Sequence, residues 1–247
     1  MRPRPYLASM DSMNASRSRL AGLAAVTVLS LGVVAYATVV YGALDPETSV
    51  LSLRDTRWHY GLLITHIATG AVALLLGPLQ FFRRIRTRHP RGHRWIGRAY
   101  LFVGVFPSAL VGVPVALLSV EGAWASAGLL VGDLAWLATA VVAYRAARRR
   151  DFRRHATWIT WNFALSFSAV TFRIWLGILI GAQVPFLRTW YDGDFGALFS
   201  VAYGVTTWLA FLPNVLAVVL VQRWSRARRR SRAAAVTGAA AVPVTTG

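Results

Sequence analysis

Three ionisable residues stand inside long apolar runs of this 247-residue chain: His66, Asp133 and Arg173. A charged side chain is costly in hydrocarbon, so each is a candidate functional group. Counted at about 1.5 Å per helical residue from the arginine-rich ends of their runs, all three lie about 20–24 Å deep. An Asp133–Arg173 pair would lower the cost of both charges. The sharper reading makes Arg173 the holder of an anionic ligand group. His155, Asn162, Ser166 and Arg173 follow one another at spacings of 7, 4 and 7 residues, which puts them on one helical face. Tyr203, Thr207 and Asn214 repeat the pattern more weakly. Such faces turn inward, towards hydrogen-bonding neighbours or a cavity.

The chain has five histidines. His59 and His66 share a helix face, and His89 sits beside Pro90 in a basic loop. His93 and His155 stand at the mouths of two different apolar runs, with Arg94, Arg98, Arg153 and Arg154 nearby. Imidazole is a common axial ligand of haem iron. A haem b held between helices needs two facing imidazoles, an apolar pocket and cations for its propionates. His93 and His155 can supply the iron ligands, and Arg94 and Arg98 bidentate propionate partners. His66 is the candidate on the other side of the membrane. Structural histidines at the interface, a metal site and a proton relay remain open readings of the same residues.

Other chemistries find no signal. There is no cysteine, hence no disulfide, thiolate metal site or cysteine nucleophile. The dispersed histidines do not make the three-ligand set of a catalytic zinc. No Gly-x-Ser-x-Gly elbow and no glycine-rich phosphate loop is present. Asp133 could serve as an intramembrane acid, but a nearby arginine favours its ionised form.

The elements that must position these residues are membrane helices. Hydrophobic residues make up 56% of the chain, mean hydropathy is +0.49, and charged residues are only 15%. Six runs reach the roughly 20 apolar residues that a span requires: 20–42, 59–82, 97–118, 124–146, 157–181 and 196–222. The expected fold is therefore all-α, a polytopic six-helix membrane bundle. It has an N-terminal arm (1–19), a membrane domain (20–222) and a basic, then irregular, tail (223–247). The first run is too long for a cleaved signal peptide and reads as a signal anchor.

The net charge of +18 comes from 27 arginines with no lysine. All but four of them lie in the N-terminal arm, the second and fourth loops and the tail, whereas most acids lie on the other side. This asymmetry predicts a multi-pass protein of the bacterial cytoplasmic (inner) membrane with both termini in the cytoplasm. No soluble domain could present a nucleic-acid-binding face, so the basic loops are expected to meet anionic lipid headgroups instead. Trp58, Trp124, Trp190, Trp95, Trp158 and Trp224 flank the runs as an aromatic belt does. Gly70 and Gly77 share a face that admits a close helix or a flat ligand. Pro78 should end or kink its helix. Gly97 leaves space near His93, for packing or for a porphyrin edge.

Several of these residues fall in recognisable strings: His66-x3-Gly70, Gly77-Pro78-Leu79-Gln80-Phe81, His93-Arg94-x2-Gly97-Arg98-x-Tyr100, Arg154-His155 and Arg173. Over residues 59–181 the chain resembles the bacterial membrane-protein family known as domain of unknown function 2306. The resemblance implies a four-helix core and no particular activity. That histidine-bearing core is more loosely similar to cytochrome b561-type electron carriers, which implies haem binding and electron transfer. Three functions thus stand side by side. One is a b-haem electron-transfer protein. The second is a small transporter or accessory subunit with a cavity lined by His66, Asp133, Asn162 and Arg173. The third is an enzyme acting on a lipid or isoprenoid through Asp133. A homo-oligomer or a redox partner is compatible with the first two.

Overall fold

A computed structural model describes residues 5–46 and 58–240. Among them every regular element is helical, and six stretches are long and apolar enough to cross a membrane. Lipid offers no water to backbone groups, so a chain this apolar must satisfy them within each helix. The charged residues between 47 and 57 that were assigned to the second face lie outside the described residues, as does the tail after 240.

Span one is α1 (Pro5–Tyr41) and span two is α2 (His59–Leu76). As Pro78 predicts, α2 stops at Leu76, and a 3₁₀ turn, Pro78–Phe81, follows with Pro78 and Gln80 buried. After the short α3 (Arg83–Arg88), α4 (Pro90–Ala99) opens with proline at its first position, where a missing N–H costs nothing. It continues through a π-helical segment, Tyr100–Val105, into α5 (Phe106–Leu118). Span three therefore begins at Pro90 instead of 97, because its first turns are helical but too polar to register as hydrophobic.

Span four is α6 (Ala123–Arg148). Span five is split at Phe167 into α7 (Phe152–Ser166) and α8 (Ser168–Gln183). A 3₁₀ turn and α9 (Leu187–Trp190) follow. Span six is α10 (Phe195–Leu209) and α11 (Leu212–Ala240), so the tail expected to be irregular from 233 is helical as far as Ala240. Side chains cap two of these helices: Asp151 accepts from the Arg154 N–H and Asp194 from Gly196 and Ala197.

α6 is the central rod, packed against α5, α7 and α10, while α2 packs on α5, the π segment and α1. Large apolar side chains such as Val28, Leu110 and Ile178 point outward, more than half exposed, as a lipid-facing surface requires. Small residues let the backbones meet: a Cβ at Gly104 would stand 2.9 Å from the Ala73 backbone nitrogen.

The core also holds a closed polar network joining spans three, four and five. The Tyr100 hydroxyl donates to Asn162 Oδ1 (2.6 Å) and is bonded to Ser166 Oγ (2.8 Å). Trp136 Nε1 donates to the same Ser166 oxygen (2.9 Å). Asn162 Nδ2 donates to the Trp136 carbonyl (2.8 Å) and to Thr139 Oγ1 (2.9 Å). A second staple secures the breaks. Before Pro213, the Ala210 carbonyl accepts from Asn214 Nδ2 (3.1 Å) and Thr171 Oγ1 (2.5 Å). Asn214 Nδ2 also donates to the Ala164 carbonyl (3.2 Å), so the break in span six is tied to the break in span five.

Because the backbone of Ala73 cannot yield to a side chain, Gly104→Ala should lower stability by about 1–3 kcal/mol. Thermal unfolding in detergent measures this, with Gly177→Ala, which meets open space, as the neutral control.

Candidate functional site

A cavity of about 250 Å³ opens among α1, α2, α5, α6, α8 and α10 and the end of α7, on the side of the bundle away from the arginine-rich loops. Its walls are mostly apolar, and His66, Asp133 and Arg173 all face into it. Three unbroken or half-broken spans thus bring the three intramembrane ionisable residues to one place.

His66 is fixed by α5. Its Nδ1 lies 3.0 Å from the Ser108 carbonyl, and Ser108 Oγ donates back to the His66 carbonyl (2.9 Å). A carbonyl only accepts, so Nδ1 carries the proton. When the ring is neutral, this arrangement leaves Nε2 as its acceptor nitrogen, facing the cavity. Gly70, one turn along α2, makes room for the Ser108 hydroxyl.

Asp133 points from α6 into space that exists because residue 112 is glycine: a Cβ there would collide with the carboxylate, standing 2.9 Å from Oδ1. Among the described residues the carboxylate has no hydrogen bond or ion pair, although His66 lies within electrostatic reach across the cavity. Arg173 is anchored at one end only. Its Nη1 donates to the Ala169 carbonyl (2.7 Å), its guanidinium lies 5.4 Å from the Tyr36 ring centroid, and its Nε is buried without an acceptor. Tyr41 and Tyr203 complete the rim on that side.

The direct Asp133–Arg173 pair expected from sequence is not formed. Arg173 instead folds back along α8 and towards α1, and the two charges face the cavity separately. Asn162 is not a wall residue either. It stands behind the wall in the Tyr100 network, of which Ser166 and Trp136 reach the cavity. The single polar face from His155 to Arg173 is interrupted because the helix breaks at Phe167.

His93 and His155 form a separate pair at the arginine-rich end. They lie within electrostatic reach of each other. His155 Nδ1 is 3.0 Å from the Ala143 carbonyl, which leaves its Nε2 free to accept, and His93 Nδ1 is buried without a partner. The space beside Gly97 is filled by the Gln80 carboxamide, with Oε1 3.2 Å from the Cβ position. At about 100° per residue, Arg94 and Arg98 point about 100–140° away from His93 around α4. They are exposed and on a different face from the imidazole they were expected to assist. Among the described residues no three His, Cys, Asp or Glu side chains converge as a metal cluster.

Sequence reasoning did not single out Ser108, Gly112 or, beyond its stripe, Tyr203. The first two were legible as a small-xxx-small pair on span three, the usual sign of close helix contact. Tyr203 was noted only as part of a stripe.

A family model described as "Predicted membrane protein (DUF2306)" matches residues 63–222, which extends the likeness through span six and leaves out α1. No curated protein and no solved structure matches the chain.

An unpaired carboxylate in an apolar-walled cavity is a cost that the ligand-free protein carries. Asp133→Asn should therefore raise thermal stability without ligand, by about 1–3 kcal/mol. A variant that melts below the parent would show that the carboxylate is structurally required.

Proposed function

We infer the function of this chain, which belongs to the DUF2306 family of predicted membrane proteins and is an integral membrane protein, from its central cavity. The reading favoured is a ligand-binding membrane protein, a small carrier or accessory subunit. Its ligand would carry an anionic group at Arg173 and a cationic or hydrogen-bond-donating group at Asp133 and His66. One observation supports this: opposite charges face the same cavity without meeting each other. A ligand carrying both groups would satisfy both at once.

The volume limits the ligand. A cavity of about 250 Å³ falls a little below the roughly 300–1,000 Å³ of drug-sized sites. A small zwitterion fits that description better than a lipid or a porphyrin.

Thermal unfolding of the purified protein, with a panel of amino-acid zwitterions, simple carboxylates and simple amines, provides the test. A bound zwitterion at 100 times its Kd should contribute about 2.7 kcal/mol, a shift of several degrees. The shift should be greatest for zwitterions and disappear in Arg173→Ala. No shift with any member, or equal shifts in parent and variant, would overturn the reading.

A second reading keeps haem b at the other pair, with His93 and His155 as iron ligands. The observation in its favour is that the Ala143 carbonyl fixes His155 Nδ1 and leaves Nε2 available, as is usual for metal-bound imidazoles. Dithionite-reduced minus oxidised spectra of protein expressed with haem precursor decide it. Sharp Soret, α and β bands that vanish in His155→Ala are the expected result. A flat spectrum from folded protein ends that reading.

A further inference from the structure

The arginines of α4 do not simply line the membrane edge. Arg91, Arg94 and Arg98 share a face of α4, and across a groove from them stand Arg148 and Arg150 at the end of α6. Trp95, 68% exposed, forms part of the same groove, and the Arg98 guanidinium lies 5.2 Å from its ring centroid. The topology rule asks for positive charge on this side of the membrane. It does not ask for five guanidinium groups from two separate elements to converge.

The turn that presents Arg150 is itself unusual. α6 ends in a Schellman motif: the Arg150 N–H donates to the Ala147 carbonyl (3.1 Å) and the Asp151 N–H to Ala146 (3.0 Å). The residue in the left-handed position of that motif is ordinarily glycine. Here it is Arg150, with φ of 59°. The one acid in the turn, Asp151, directs its carboxylate to the Arg154 N–H. Among the described residues no carboxylate pairs with any of the five arginines.

We propose that this groove is a binding site for an anion with two neighbouring phosphate groups. Guanidinium groups engage phosphate oxygens bidentately, and two phosphates offer enough acceptors to occupy arginines from both walls. The groove lies at the ends of spans three and four, and basic pockets between spans suit polyanionic headgroups. The same chemistry is carried by a two-phosphate lipid and by free pyrophosphate. The proposal is independent of the cavity, which lies on the far side of the bundle.

The test uses the full-length protein in neutral detergent and native mass spectrometry with cardiolipin, phosphatidylglycerol and phosphatidylcholine as probes. Three variants are compared: Arg94→Gln with Arg98→Gln, Arg150→Gly, and a control, Arg83→Gln with Arg84→Gln on α3. Arg150→Gly puts the residue this left-handed turn ordinarily uses in place of the arginine and removes its side chain, so misfolding does not explain its effect. Cardiolipin should be retained in preference to the other two lipids. Its apparent Kd should rise at least tenfold in the double groove variant and several-fold in Arg150→Gly, with little change in the control. Displacement of cardiolipin by pyrophosphate would assign the site to a free anion; retention in its presence would assign it to the lipid. Equal losses in groove and control variants, or no loss in either groove variant, would overturn the proposal.

Discussion

A carbonyl or hydroxyl inside hydrocarbon has to be answered from within the protein, because no water is there to do it. Most of this bundle follows from that constraint. Tyr100, Asn162, Ser166, Trp136 and Thr139 close on one another and join three spans in a fixed relation. The interruption before Pro213 is tolerable because Asn214 and Thr171 reach the Ala210 carbonyl. Even the hydroxyls of Thr65 and Thr206 turn back to carbonyls of the preceding turn. Among the described residues a few buried groups remain without a partner, among them Ser30 Oγ, the Tyr60 hydroxyl and Gln80 Nε2, and the cavity ends of Asp133 and Arg173 carry charge as well.

The two ends of the molecule handle charge differently. Around the cavity, charges are few, of both signs and held apart by apolar walls. At the opposite end the loop charges are many and, but for Asp151, positive, and α4 presents its arginines on one face only. One face gives His93 and Gly97 to Gln80 and the interior, and the other gives its arginines to the groove. A ten-residue helix thus serves the bundle and the membrane surface at once.

The six spans were legible because hydropathy measures what lipid selects. Their ends were less so: the polar start of α4 is helical, and hydropathy is blind to that. His66, Asp133 and Arg173 could be found from sequence because ionisable residues are rare in apolar runs. That they would share a cavity without pairing could not. The direction of Arg173 depends on the break at Phe167, where no proline or glycine marks the interruption. Asn162 looked like a cavity residue because helical periodicity reports a face, and it cannot tell a wall from the network behind it. The separation of Arg94 and Arg98 from His93 was present in the spacing all along, hidden by proximity in sequence.

The breaks in spans five and six are tied to each other through Asn214, and the half-spans beyond them, α8 and α10, pack together. These halves make a two-helix panel that rests on α6 through α10 and meets the other half-spans at the two breaks. Arg173 and Tyr203 ride on the panel, whereas His66 and Asp133 belong to α2 and α6, which run through without interruption. The gap between the positive and negative sides of the cavity is therefore set by how the panel sits on α6, whereas the Tyr100 network lies wholly on the other side of the breaks. A ligand spanning that gap would act as a strut, setting the angle of the panel by its own length.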